Sequence, residues 1–144
     1  MRFALLAVLL AASASAQPST PDPEPVTILV HITHGPEAPT RAALGFHVAK
    51  AALEQGHAVT VFLAGDAVQL VRPGTLDQLK GLGTGDLRVL FDALVAGDVP
   101  FYLSGGSSRA RGLTEADLDG LSVTFASPAD LVRLSAEHDR TFTY

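Results

Sequence analysis

Ser104-Gly105-Gly106-Ser107-Ser108-Arg109-Ala110-Arg111-Gly112-Leu113 brings hydroxyls, unhindered backbone and two cations into one short stretch. It follows the apolar residues 99–103, which read as a buried strand. It therefore stands at a strand's carboxyl end, where open α/β sheets place their ligand crevices. Gly105 and Gly106 leave backbone N–H groups unobstructed, Arg109 and Arg111 bring positive charge, and Ser104 and Ser107 add hydroxyls. That set suits an anion or a polar small molecule. It equally suits an unusual glycine turn whose arginines face water or pair across a subunit contact. The stretch matches neither G-x-G-x-x-G nor the P-loop G-K-[ST], so it carries no nucleotide signature.

Ser104 as a nucleophile would need a positioned base, and no G-x-S-x-G elbow is present. His31 and His34 close the first apolar run, expected to neighbour the strand before Ser104, which would bring an imidazole near. Together with His47 they also invite a metal reading. Strand residues three apart point to opposite faces, however, and no H-E-x-x-H spacing occurs. No metal and no cofactor are expected, and the histidines read as pocket-lining or exposed. Asp66 reads as a helix cap, with a groove-facing role as the alternative. Glu37 and Arg41 could form a surface pair, which stabilises by under about 1 kcal/mol and signals little.

The elements that position these groups alternate. Val26-Thr27-Ile28-Leu29-Val30-His31-Ile32 is nearly continuous in its apolar character, as in a parallel strand covered on both faces. A loop with Gly35, Pro36 and Pro39 follows. Residues 40–55 are then helical, with Ala42, Phe46, Ala49 and Leu53 on one stripe and Gly56 at the C-cap position. Residues 57–63 form a second strand and 65–71 a short helix closed by Pro73-Gly74. Residues 75–85 read either as a short helix or as a mobile connection. Asp86 caps a helix to Ala96, and residues 99–103 are the third strand. Thr114 to Asp117 fits a capping box, residues 121–126 a strand, and Ser127-Pro128-Ala129-Asp130 a second capping box for a helix to about His138. Residues 141–144 can add a last strand. The expected fold is a doubly wound α/β domain: a mostly parallel sheet of about five strands with helices on both faces.

The first residues have another purpose. Arg2, the apolar run 3–12 and Ala14-Ser15-Ala16 before Gln17 make a secretory signal peptide, with cleavage expected after Ala16. The run is shorter than the roughly 20 residues of a membrane anchor, so no membrane insertion is expected after cleavage. Residues 17–25 are a proline-rich linker, and residues 26–144 the domain. The mature protein would be periplasmic or secreted. Ten basic residues against fifteen acidic give a net charge of −5, which gives no support to nucleic-acid binding. The chain has no cysteine, so an exported protein of this size must rely on an apolar core, with no disulfide to help.

Four pieces in this order resemble the DsrE/DsrF-like family of small sulfur-relay proteins. They are the first strand with its Thr33-His34-Gly35-Pro36 turn, the segment from Gly56 to Val68, the Ser104 to Leu113 loop, and the strand 123–126 with its capped helix. The resemblance spans residues 26–144. It implies a loop that often reads Cys-Gly-x-x-x-x-x-Arg-Gly-Leu, whose cysteine carries a persulfide. Ser104 stands where that cysteine would be, and a hydroxyl cannot accept sulfane sulfur as a thiolate does.

The expected function is therefore an exported binding module for a small anion, a polar molecule or a partner protein, without persulfide transfer. Its crevice would be lined by Thr33, His34, Ser104, Gly105, Gly106, Ser107, Arg109 and Arg111, with His31 and Asp66 nearby. The alternative is a subunit of a sulfur-relay or redox system whose reactive group comes from a partner or cofactor. The resemblance also implies a homo-oligomer, a trimer first and a hexamer next. A second apolar stripe on the first helix, Leu44, Val48 and Ala51, would then be covered by a neighbouring subunit.

Overall fold

A computed structural model describes residues 24–118 and 120–144. The signal peptide expected at 1–16 and most of the linker at 17–25 lie outside the described residues. β1 (Thr27–Ile32), α1 (Pro39–Glu54) and β2 (Ala58–Leu63) open the domain, followed by 3₁₀ turns at Gly65–Val71 and Leu76–Gln78. A two-stranded hairpin, β3 (Lys80–Gly81) and β4 (Gly85–Asp86), then leads into α2 (Leu87–Ala96). β5 (Phe101–Ser104), α3 (Gly105–Ala110), a 3₁₀ turn at Glu115–Leu118, β6 (Val123–Ala126), α4 (Pro128–Glu137) and β7 (Arg140–Thr143) complete it.

The main sheet has the order β6-β5-β2-β1-β7, and every pairing in it is parallel. Alternation along each strand divides the side chains between two layers. Ile28, Val30 and Ile32 face one way, into the main core with Phe46 and Ala49 of α1, Leu90 and Phe91 of α2, and Leu113 and Leu118 beyond α3. Leu29 faces the other way, with Phe62 and Tyr102, under Leu131 and Leu134 of α4. Helical segments thus cover both faces, α1 and α2 with the 3₁₀ turns on one and α4 on the other.

Strand order corrects one expectation. β1 does not neighbour β5; β2 lies between them, with Leu63 paired to both Ile32 and Leu103. A second correction concerns Asp86. It sits at the N-cap position of α2 without capping through its side chain, and its carboxylate pairs with Lys80 at 3.1 Å instead. In α1, Val48 of the second stripe packs partly buried against the domain's own core, and Leu44 and Ala51 of that stripe are exposed. The β3–β4 hairpin rests on this helix: Leu82 N donates to Thr40 Oγ1 at 2.9 Å, and His47 Nε2 donates to Thr84 O at 2.9 Å.

Candidate functional site

Ser104 ends β5 and begins a helix where a loop was expected. Its Oγ accepts from Ser107 N at 3.3 Å, the ordinary work of an N-cap serine, and Gly105 and Gly106 form the first turn of α3. Ser107 points back towards the end of β2, where its Oγ accepts from Gly65 N at 3.0 Å. Gly65 has φ +57, and a Cβ there would lie 2.9 Å from Thr33 O, so the turn after β2 can approach β1 only because the residue is glycine.

The connections after β5 and β6 leave in opposite directions. The chain after β5 packs through Leu113 and Leu118 into the main core, while α4, after β6, covers the other face. The chain therefore diverges beyond the carboxyl ends of these two strands, the end of the sheet at which open α/β folds place their crevices. A cleft of about 500 Å³ opens there, lined by Ser104, Gly105, Gly106 and Arg109 on one side and by Phe125, Ser127 and Asp130 on the other. Arg109 is exposed and makes no ion pair among the described residues. Asp130 and Ser127 are already engaged in a reciprocal capping box. The Ser127 hydroxyl and backbone N–H hold the Asp130 carboxyl below the usual carboxylate range. The free charge in the cleft is therefore Arg109.

The other expected residues are placed differently. Arg111 turns away to Asp66, with Nε 2.9 Å from Oδ1, and also donates to Ser107 O. Asp66 is thus neither a helix cap nor free: the 3₁₀ turn it opens has no side-chain cap. Thr33 and His34 lie beyond β1, two strands from Ser104, or about 10 Å at ordinary strand spacing. They form a chain of their own. Arg41 Nη1 donates to His34 Nε2 at 3.1 Å, which leaves Nδ1 to donate to Thr33 Oγ1, and Thr33 donates to Tyr144 O. The two loops share one edge of the sheet and meet through the 65–67 turn, but Thr33 and His34 do not line the Ser104 cleft.

His31 lies on the α4 face with its ring edge-on to Phe62, centroids 5.6 Å apart. With β2 intervening, it offers no base to Ser104. Burial pushes its imidazole down from the ordinary value, and its Nε2 has no partner among the described residues. Protonation therefore favours the unfolded chain. The stability this gives is present above the ordinary imidazole pKa and lost as pH falls through the lowered one. His31→Phe is expected to flatten the loss of denaturation midpoint between neutral pH and the start of carboxylate titration. An unchanged slope would remove His31 as its source.

The cleft residues that sequence reading did not place in a site include Phe125, near the end of β6, and Ser127 and Asp130, at the start of α4. The capping box at Ser127 could have located the β6 end; nothing local shows that β6 lies beside β5.

A parallel five-stranded sheet with helices on both faces is an open, doubly wound α/β domain. The chain belongs to the DsrE/DsrF-like family, whose model matches residues 27–144. Among solved structures it is similar to the YchN protein of E. coli, with a TM-score of 0.62 at 23% identity over 83% of this chain and 98% of that one. It is also similar to MTH1491, a protein of unknown function from Methanobacterium thermoautotrophicum, with a TM-score of 0.61 at 18% identity over 83% and 99%. At these identities the likeness is one of fold. No curated protein gives a significant match.

Proposed function

We propose that this chain is an exported binding module of the DsrE/DsrF-like family that has left persulfide transfer behind and holds a small polar or anionic ligand non-covalently. The observation that carries the reading is Ser104. It stands at the place where the family resemblance puts a cysteine, at the mouth of the cleft beyond β5 and β6, and its hydroxyl is used as a helix cap. A serine hydroxyl is no substitute for a thiolate in accepting sulfane sulfur, and the chain has no other thiol. What remains is recognition: the Arg109 guanidinium, with its planar fork of donors, faces a cleft of about 500 Å³ flanked by Phe125.

The test is to offer the mature protein polysulfide and follow its intact mass. The reading expects no added sulfur. Uptake followed by delivery to an acceptor thiol would overturn it. Metal analysis and absorbance spectra of the same sample address a relay subunit with a borrowed reactive group, and stoichiometric metal or a chromophore would favour that alternative.

Assembly and export belong to the same proposal. Leu82, 90% exposed on a hairpin tied to Thr40, and Leu44, one turn further along α1, offer apolar surface to a second copy. A trimer, then a hexamer, is expected by light scattering at micromolar concentration, and a mass near that of one chain would reject it. Amino-terminal sequencing of the secreted protein is expected to begin at Gln17.

A further inference from the structure

The open edge of β6 adjoins the Ser104 cleft. β6 is an outer strand of the sheet and pairs, among the described residues, with β5 alone. In a parallel ladder, alternate residues turn both of their backbone groups to the same neighbour. Val61 N donates to Pro100 O at 3.0 Å, so Pro100 and Tyr102 serve β2 while Phe101 and Leu103 serve β6. The partners of these last two, Val123 and Phe125, therefore turn their own N–H and C=O groups outward. Neither makes a backbone bond on that open side among the described residues. Thr124 and Phe125 are exposed, and Val123 is half-buried.

Three hollows follow one another along this edge. One of about 260 Å³ lies at its start, beside Leu118, Leu121 and Val123. One of about 240 Å³ lies beside Phe125 and Leu113, on the same core-facing side of the sheet. The Ser104 cleft opens at its end, beside Ala126. Val123 and Phe125 stand about 7 Å apart along the strand, which is also the spacing of same-face side chains on an added strand. A Cβ on Gly105 would lie 3.4 Å from Arg109 Nη1 and 3.5 Å from Ala126 O. The unpaired Arg109 guanidinium thus folds back to the point where β6 ends.

We propose that β6 takes up an extended segment of a partner protein as a sixth strand, with an aspartate or glutamate of that segment on Arg109. Main-chain hydrogen bonds to Val123 and Phe125 hold the segment, and its alternate apolar side chains enter the first two hollows. A carboxylate matches the two-donor edge of the guanidinium. Residues 122–127 carry no acidic side chain, so a second copy adding through its own β6 would bring no anion from that strand to Arg109. The inference rests on the reading of the Ser104 cleft as an anion site and names what presents the anion.

Acetyl-Thr-Val-Thr-Val-Glu-amide and the peptide of reversed order, titrated into the mature protein, probe both strand directions. One of them is expected to bind. Amide exchange at Val123 and Phe125 should then slow about tenfold or more, with Thr124, already turned to β5, unchanged. Gln for the peptide's Glu, or Arg109→Met in the protein, should weaken binding about tenfold, the scale of one charge-assisted hydrogen bond. N-methylation of every second peptide residue should abolish binding in one of its two phases and spare it in the other, because only alternate N–H groups face β6. The proposal is overturned if neither peptide binds at millimolar concentration, or if the two methylation phases bind alike. Binding indifferent to both Glu and Arg109, or protection at Thr141 and Thr143 on the β7 edge, would also overturn it. Acetate that binds as tightly as the peptide would overturn the strand addition and leave the cleft an anion site.

Discussion

Ser104→Cys is expected to turn a protein inert to sulfane sulfur into one that takes up one sulfur atom per chain. The backbone needs no change, because Ser107 N already points at the Oγ position from 3.3 Å. A thiolate there would accept that N–H at the start of α3, with Arg109 along the same cleft, and both lower a cysteine's pKa. Iodoacetamide labelling against pH would report the thiol as ionised below the ordinary value of about 8.5. Polysulfide followed by intact mass would report the persulfide. A thiol of ordinary pKa that takes up no sulfur would mean that the cleft has lost more than its cysteine.

Gly35→Ala should be among the most damaging substitutions of one small residue by another. A Cβ on Gly35 would overlap Asp66 O and stand 2.5 Å from the Asp66 carbonyl carbon, with Ala67 N at 3.1 Å. These are backbone atoms, so no rotamer change relieves the contact. Overpacking of this kind costs typically 1–3 kcal/mol, and the backbone clash puts the expectation near the top, about 3 kcal/mol by chemical denaturation. The displaced turn also carries Gly65 N, bonded to Ser107 Oγ, and the Asp66 carboxylate, bonded to Arg111. The variant should therefore loosen the start of α3 as well, seen as faster amide exchange at Ser107 and Ser108. A loss under about 1 kcal/mol would show that the β1 turn can retreat from Asp66 at little cost.

The layout was largely open to sequence reasoning because its signals are local. The apolar run of β1, the stripe of Ala42, Phe46, Ala49 and Leu53, and the Ser127 capping box each stand where periodicity and capping chemistry put them. The site was less legible because its determinants are partners distant in sequence. Ser104-Gly105-Gly106-Ser107 reads as a loop since glycine weakens helices. It is helical because Ser104 caps it and because Ser108 and Leu113 are held in the core, where Leu113 N donates to Ser108 O at 2.9 Å. Arg111 looked like a ligand-binding cation, but it is bound to Asp66, 45 positions away. Strand order escaped for the same reason: alternating elements require a parallel sheet without stating which strands adjoin. The hairpin at 80–86 has too short an apolar pattern to announce itself.

The account stands or falls on whether the cleft between Ser104 and Ser127 holds a ligand. Amide NMR of the mature wild-type protein, titrated with a set of small carboxylates, sulfonates and phosphates, measures this most directly. The account predicts saturable shifts clustered at Ser104 to Arg109 and Phe125 to Asp130, abolished in Arg109→Met while the remaining spectrum stays native. Anions that leave those amides unmoved, or shifts that persist unchanged without the Arg109 guanidinium, would contradict it.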